Sequence, residues 1–155
     1  MFCSREINRK INYIHEQALR IVYNEYTSSF NELLVKNSSV SIHHRNIQYV
    51  AIEMYKIVNN LSPPFMNEIF EYRTGNSNRS GNIFVRKNVN TVYKGDNSLR
   101  IFGPIVRNIM LPEKYKICLT LTNFKNSIKS WIPENCPCRL CKNYIPSLGF
   151  TSISA

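Results

Sequence analysis

Aspartate is nearly missing from this chain: there is one, Asp96, set in the turn-like stretch Lys94-Gly-Asp-Asn-Ser98. Two-metal phosphoryl or nucleotidyl transfer needs at least two convergent carboxylates. The glutamates are scattered along helix-like segments beside Lys or Arg, so the sequence offers no polymerase or nuclease centre and reads as non-enzymatic. Only five glycines and three histidines are present. No phosphate-cradling glycine loop, dinucleotide fingerprint or Gly-x-Ser-x-Gly elbow can be assembled from them. No run approaches the roughly 20 apolar residues that a bilayer demands, which argues against a membrane protein. Met1-Phe2-Cys3-Ser4-Arg5-Glu6 leads into a charged segment rather than an apolar one, so an intracellular location is expected. Nothing suggests a small-molecule substrate.

What the chain does hold is positive charge, unevenly spread. The formal net charge is +10 over 155 residues. Residues 1–72 balance seven Lys/Arg against seven Glu, so the whole excess lies in residues 73–155. A neutral front and a basic back point to a polyanionic partner, of which RNA or DNA is the commonest. A merely solvated basic surface or an anionic membrane surface is the competing explanation. Hydrophobic residues at 43% and aromatics at 12% argue for a folded chain, and this length can bury roughly 70% of its unfolded surface. The frequent asparagines read as coding bias rather than a structural need.

Five cysteines without an export signal suggest reduced thiols or a metal. Cys138-x-x-Cys141 has the spacing of half a zinc knuckle, and Cys136 could supply a third thiolate. A closed site needs four, and Cys118 is the nearest candidate in sequence. Zinc binding, free thiols and a redox pair all remain open readings. Arg139 and Lys142 within the cluster would suit phosphate contact. His43-His44 opens a helix and points about 100° apart, which predicts one packed and one exposed histidine rather than a metal pair. His15 should be packed or half-exposed.

Ile7, Ile11, Ile14, Ala18, Ile21 and Val22 recur at spacings of three and four, the pattern of a helix core face over about residues 5–25. Ser29-Phe-Asn-Glu32 is a capping box, predicting a short helix that buries Phe30, Leu33 and Leu34. Ser41 can cap a third helix with Ile47, Val50, Ala51, Met54, Ile57, Val58 and Leu61 inward, ended by Asn59-Asn60 and Pro63-Pro64. Met66, Ile69 and Phe70 allow one more turn of helix. After the polar stretch 74–81, strands are expected at Ile83–Val85, Val89–Tyr93 and Leu99–Phe102, the last two forming a hairpin. Helix resumes at Gly103-Pro104. Thr120 can cap a final helix with Leu121, Phe124, Ile128 and Trp131 inside and Lys125 and Lys129 outside.

Several of these blocks, in order, resemble one family. Ile14-His-Glu-Gln-Ala-Leu-Arg-Ile21 is similar to the helix after the polymerase core in reverse transcriptases of non-LTR (LINE, jockey-like) retrotransposons. Met54-Tyr-Lys-Ile-Val-Asn-Asn-Leu-Ser-Pro63, Asn78-Arg-Ser80, Phe102-Gly-Pro104, Asn108, Leu111-Pro112, Phe124-Lys125, Lys129 and Trp131 follow as that family would have them. Cys136-Pro-Cys-Arg-Leu-Cys-Lys-x-Tyr144 through Gly149-Phe150 is similar to its C-terminus. The resemblance runs over about residues 5–150. It implies a detached piece from beyond the palm, on the thumb side, of an RNA-directed DNA polymerase. No Tyr-x-Asp-Asp-like strand is present, and Arg107 stands where the family usually carries tryptophan.

The expectation is a mainly helical α+β domain. A helical bundle covers residues 1–72, a basic loop and β hairpin 73–102, helices 103–132, and a cysteine-containing tail 133–155. Its expected function is sequence-tolerant, non-catalytic nucleic-acid binding. Arg73, Arg79, Arg86, Lys87, Lys94, Arg100, Lys125 and Lys129 are the expected phosphate contacts, with Tyr93 or Phe84 as a stacking aromatic. The rivals are a small zinc-stabilised protein-interaction module and a decayed relic without activity.

Overall fold

The structure, a computed structural model, describes residues 5–72, 83–85 and 98–133. Its elements are α1 (Arg5–Tyr23), α2 (Phe30–Lys36), α3 (Ile42–Val58), α4 (Phe65–Glu68), α5 (Leu99–Ile105), a π-helical turn (Val106–Met110), α6 (Glu113–Lys116) and α7 (Leu121–Ile128). The chain divides into two compact units, one reaching Arg45 and one spanning Asn46–Glu134. No described helix is long and apolar enough to cross a membrane.

The mainly helical expectation holds, but the hairpin does not. Leu99–Phe102, expected as a strand, is the start of α5. A short apolar run carries no periodicity that separates the two states, and Ser98 settles it: its carbonyl accepts from Phe102 N at 2.9 Å and begins the helical ladder. Among the described residues the only β pairing is a single antiparallel bridge, Tyr72 to Phe84. Val89–Tyr93 lies outside the described residues.

In the first unit α2 behaves as its capping box predicts. Ser29 Oγ accepts from Glu32 N, and Glu32 Oε2 accepts from Ser29 N at 2.7 Å. Phe30, Leu33 and Leu34 form a cluster with Leu19 of α1, flanked by Tyr23. Arg20 pairs with Glu16 at 2.6 Å, and Lys36 with Glu25 at 2.6 Å. Those contacts fix the rotation of α1, and they reverse the expected inner face. Ile14, Ile21 and Val22 are 66%, 72% and 71% exposed, while α1 buries Asn8, Asn12 and Leu19. Periodicity located one apolar stripe on α1; packing of Leu19 and Tyr23 against α2 turned the opposite, less apolar side inward. His15 meets Phe30 edge-on at 5.5 Å, and burial pushes its pKa below the ordinary imidazole value. His43 and His44 are both buried, against the expectation that one would be exposed.

Three helices end alike. α1, α2 and α3 are followed by a residue in the left-handed region, Asn24 (φ 49°), Ser38 (φ 48°) and Asn60 (φ 55°). Each end carries the paired bonds of a Schellman motif: Glu25 N to Arg20 O at 3.1 Å, Ser39 N to Leu34 O at 2.9 Å and Leu61 N to Lys56 O at 2.8 Å close the outer rings. Two of the asparagines thus occupy positions where asparagine tolerates left-handed backbone better than most residues, which corrects their reading as bias alone. Serine has no such tolerance. Ser38→Gly is expected to raise stability by about 1 kcal/mol; a thermal melt that shows no gain would contradict this account.

The second unit gathers α3 to α7. Ile47, Val50, Ala51, Met54 and Ile57 are buried as expected, whereas Leu61 is exposed. Gln48 and Tyr55, seven residues apart and so on one helix face, tie α3 to the α7 region. Gln48 Nε2 donates to Lys129 O at 3.1 Å and Trp131 O at 2.8 Å. Tyr55 stacks on Phe124 with centroids 4.4 Å apart, and its hydroxyl donates to Cys118 O at 2.9 Å. On α5, a Cβ at Gly103 would stand 2.5 Å from Met54 Sδ, so glycine permits the close approach to α3. Pro104 lies inside α5 and cannot donate to Arg100 O. The helix then widens to the π turn, closed by Leu111 N to Val106 O at 2.9 Å.

Candidate nucleic-acid interface

α7 is built to display cations. Thr120 Oγ1 accepts from Asn123 N at 3.2 Å and starts the helix. Phe124, Ile128 and Trp131 turn inward and are buried. That orientation leaves Lys125 and Lys129, one turn apart, on the exposed face. Among the described residues Lys129 Nζ reaches only Asn126 Oδ1, at 3.5 Å. Arg100 is exposed on α5. Lys114 on α6, not singled out by sequence, is also exposed and lies over the Tyr115 ring at 5.0 Å. Among the described residues none of these four cations pairs with a carboxylate. The cations of the sequence's neutral front differ: Lys10, Arg20, Lys36 and Lys56 each pair with a glutamate.

The α7 pair therefore forms one small basic face. No described contact joins Arg100 to it. Arg73, Arg79, Arg86, Lys87 and Lys94 lie outside the described residues, as do Tyr93 and the cysteines Cys136, Cys138 and Cys141. Phe84 is fully buried against Phe70 and Tyr72, with centroids 5.3 and 5.1 Å away, so it is a core residue and cannot stack a base. Cys118 carries a free, half-buried thiol. Among the described residues no three His, Cys, Asp or Glu converge on a metal position.

Two further basic residues of this unit are buried. Arg107 is 6% exposed, its Nη1 has no hydrogen-bond partner among the described residues, and burial lowers its pKa. The Lys116 side chain is 7% exposed and is bound to Glu113 at 2.6 Å. The sequence marked Arg107 only as a departure from the resembled family. Nothing in local composition shows that its guanidinium is enclosed.

Comparison of the chain with protein-family models, with curated proteins and with solved structures finds no match. The chemistry of the cations therefore stands on its own geometry. Exposed amines on a helix, with no carboxylate partner among the described residues, can neutralise phosphates and release their counterions.

Proposed function

We propose that the chain is a non-catalytic nucleic-acid-binding piece, of the kind found beyond the palm of a non-LTR retrotransposon reverse transcriptase. The supporting observation is the contrast in pairing. In the front half Lys10, Arg20, Lys36 and Lys56 are tied to glutamates, while Lys114, Lys125, Lys129 and Arg100 present charge to solvent with no described carboxylate partner. Order among the blocks similar to that family gives the same direction. Binding is to the sugar–phosphate backbone of RNA or DNA and is tolerant of sequence.

The test is fluorescence anisotropy with labelled single-stranded RNA and DNA across a salt series. Affinity should fall steeply as salt rises. Lys125→Ala with Lys129→Ala should weaken binding uniformly across sequences and flatten the log–log salt slope by roughly 1.4 for single strands or 1.8 for duplex, two phosphates' worth. A salt-independent affinity, or an unchanged slope in the double variant, would refute the proposal.

A further inference from the structure

Two large aliphatic side chains face water in the connection between α6 and α7, Ile117-Cys118-Leu119. Leu119 is 94% exposed and Ile117 74%. The backbone that carries them is pinned. Cys118 N donates to Tyr115 O at 3.4 Å, Cys118 O accepts from the Tyr55 hydroxyl of α3 at 2.9 Å, and Thr120 caps the next helix. Cys118 is thereby held against the unit, and the residues on either side of it project outward. Isolated exposed aliphatics are ordinary, but this pair sits in a basic setting. Residues 114–133 hold Lys114, Lys116, Lys125 and Lys129 and no Asp or Glu. Among the described residues only Lys116 of these four is tied to a carboxylate, that of Glu113. Lys125 follows the Thr120 cap by five residues, roughly 7.5 Å along the axis, so one strand can meet both tip and lysine.

We propose, resting on the nucleic-acid reading above, that Leu119, flanked by Ile117, is an apolar wedge that enters between bases of the strand whose phosphates meet Lys125 and Lys129. The combination of features selects this occupant. Lysines without carboxylate partners attract a polyanion. An apolar tip beside them gains only where that polyanion also offers an apolar face. Nucleic acid does, since an aliphatic side chain inserted at a base step is buried between base faces. An anionic bilayer also joins charge to apolar depth, but two aliphatic side chains give it little to hold; anchoring there takes a whole apolar helix face or an added lipid chain. Entry costs least where bases are already unstacked, so single strands and mismatched sites are favoured over paired duplex. The wedge neutralises no phosphate, and its share of the affinity is therefore independent of salt.

Fluorescence anisotropy of the full chain with a labelled single-stranded RNA of mixed sequence is the test, repeated with 2-aminopurine placed mid-strand. Leu119→Ala should weaken binding roughly tenfold at every salt concentration and leave both the log–log salt slope and the thermal melt unchanged. 2-Aminopurine, quenched while stacked, should brighten with the parent chain and stay dark when the Leu119→Ala variant is saturated. Val35→Ala, at a 78% exposed aliphatic of α2, should alter neither readout. Salt-dependent binding that Leu119→Ala leaves intact would overturn the wedge while sparing the nucleic-acid reading; absence of salt-dependent binding by the parent chain would remove both. A loss without the fluorescence difference, or one matched by Val35→Ala, would also overturn insertion. So would binding to vesicles of phosphatidylserine and phosphatidylcholine that needs Leu119 when RNA binding does not.

Discussion

Phe124→Ala is expected to lower the stability of the 46–134 unit by about 3–5 kcal/mol, the largest loss of any single truncation considered. Phe124 is fully buried and stacks on Tyr55 at an interplanar angle of 18°. α7 has eight residues, too few to hold helical structure without tertiary contact. Its attachment depends on that ring, on Ile128 and on the two carbonyls bound by Gln48. Emptying the Phe124 position leaves a cavity that the short flanking segments can close only in part. Trp131 is the sole tryptophan and is buried in the same unit, so its emission during urea unfolding reports this unit directly. Tyr55→Phe provides the scale. It keeps the stack and removes only the hydroxyl bond to Cys118 O, a loss of about 1 kcal/mol. A shift for Phe124→Ala no larger than that of Tyr55→Phe would mean that α7 is not anchored by its inner face. The consequence reaches the surface, since Lys125 and Lys129 are held in place only by the helix that Phe124 docks.

The legible parts of the fold were those written in local chemistry. Ser29, Glu32 and Thr120 announce helix starts through side chains that satisfy first-turn amides, and each makes the predicted bond. Phe124, Ile128 and Trp131 repeat at helical spacing beside two lysines, so the buried and basic faces of α7 could be assigned before any coordinates. The illegible parts depended on partners distant in sequence. The polar Gln48 becomes buried because carbonyls 81 and 83 residues away need a donor. The inward side of α1 was decided by Leu19 meeting Phe30 and Leu33, and an apolar period alone reports amphipathicity, not direction. Leu99–Phe102 was too short for its period to separate strand from helix. At the candidate interface the sequence named residue types suited to a polyanion but left unweighed which cations face glutamates. Ion pairing at a spacing of three or four, as in Glu16–Arg20 and Glu53–Lys56, was a readable signal of that.

Arg107→Leu should stabilise the protein, by about 1–4 kcal/mol, although it deletes a charged group inside the fold. A guanidinium taken from water needs compensation from a well-placed anion and a full set of hydrogen bonds. Arg107 is buried with Nη1 lacking any described partner. Glu113 attracts it, but Glu113 is itself hydrogen-bonded to Lys116 and 70% exposed, so water screens what it offers. The desolvation of the arginine therefore outweighs its attraction, and burial is the dominant cause of its lowered pKa. Leucine fits within the volume of the arginine stem and adds no bulk, which makes it a cleaner substitution than the tryptophan of the resembled family. The midpoint of urea unfolding, followed at Trp131, should rise. Glu113→Gln sharpens the test as a double-mutant cycle: it should cost more in the arginine background than in the leucine background, because only there does Glu113 balance Arg107 in addition to Lys116. A midpoint that falls on Arg107→Leu would show that the guanidinium is satisfied, and that this position stabilises the second unit through its charge rather than despite it.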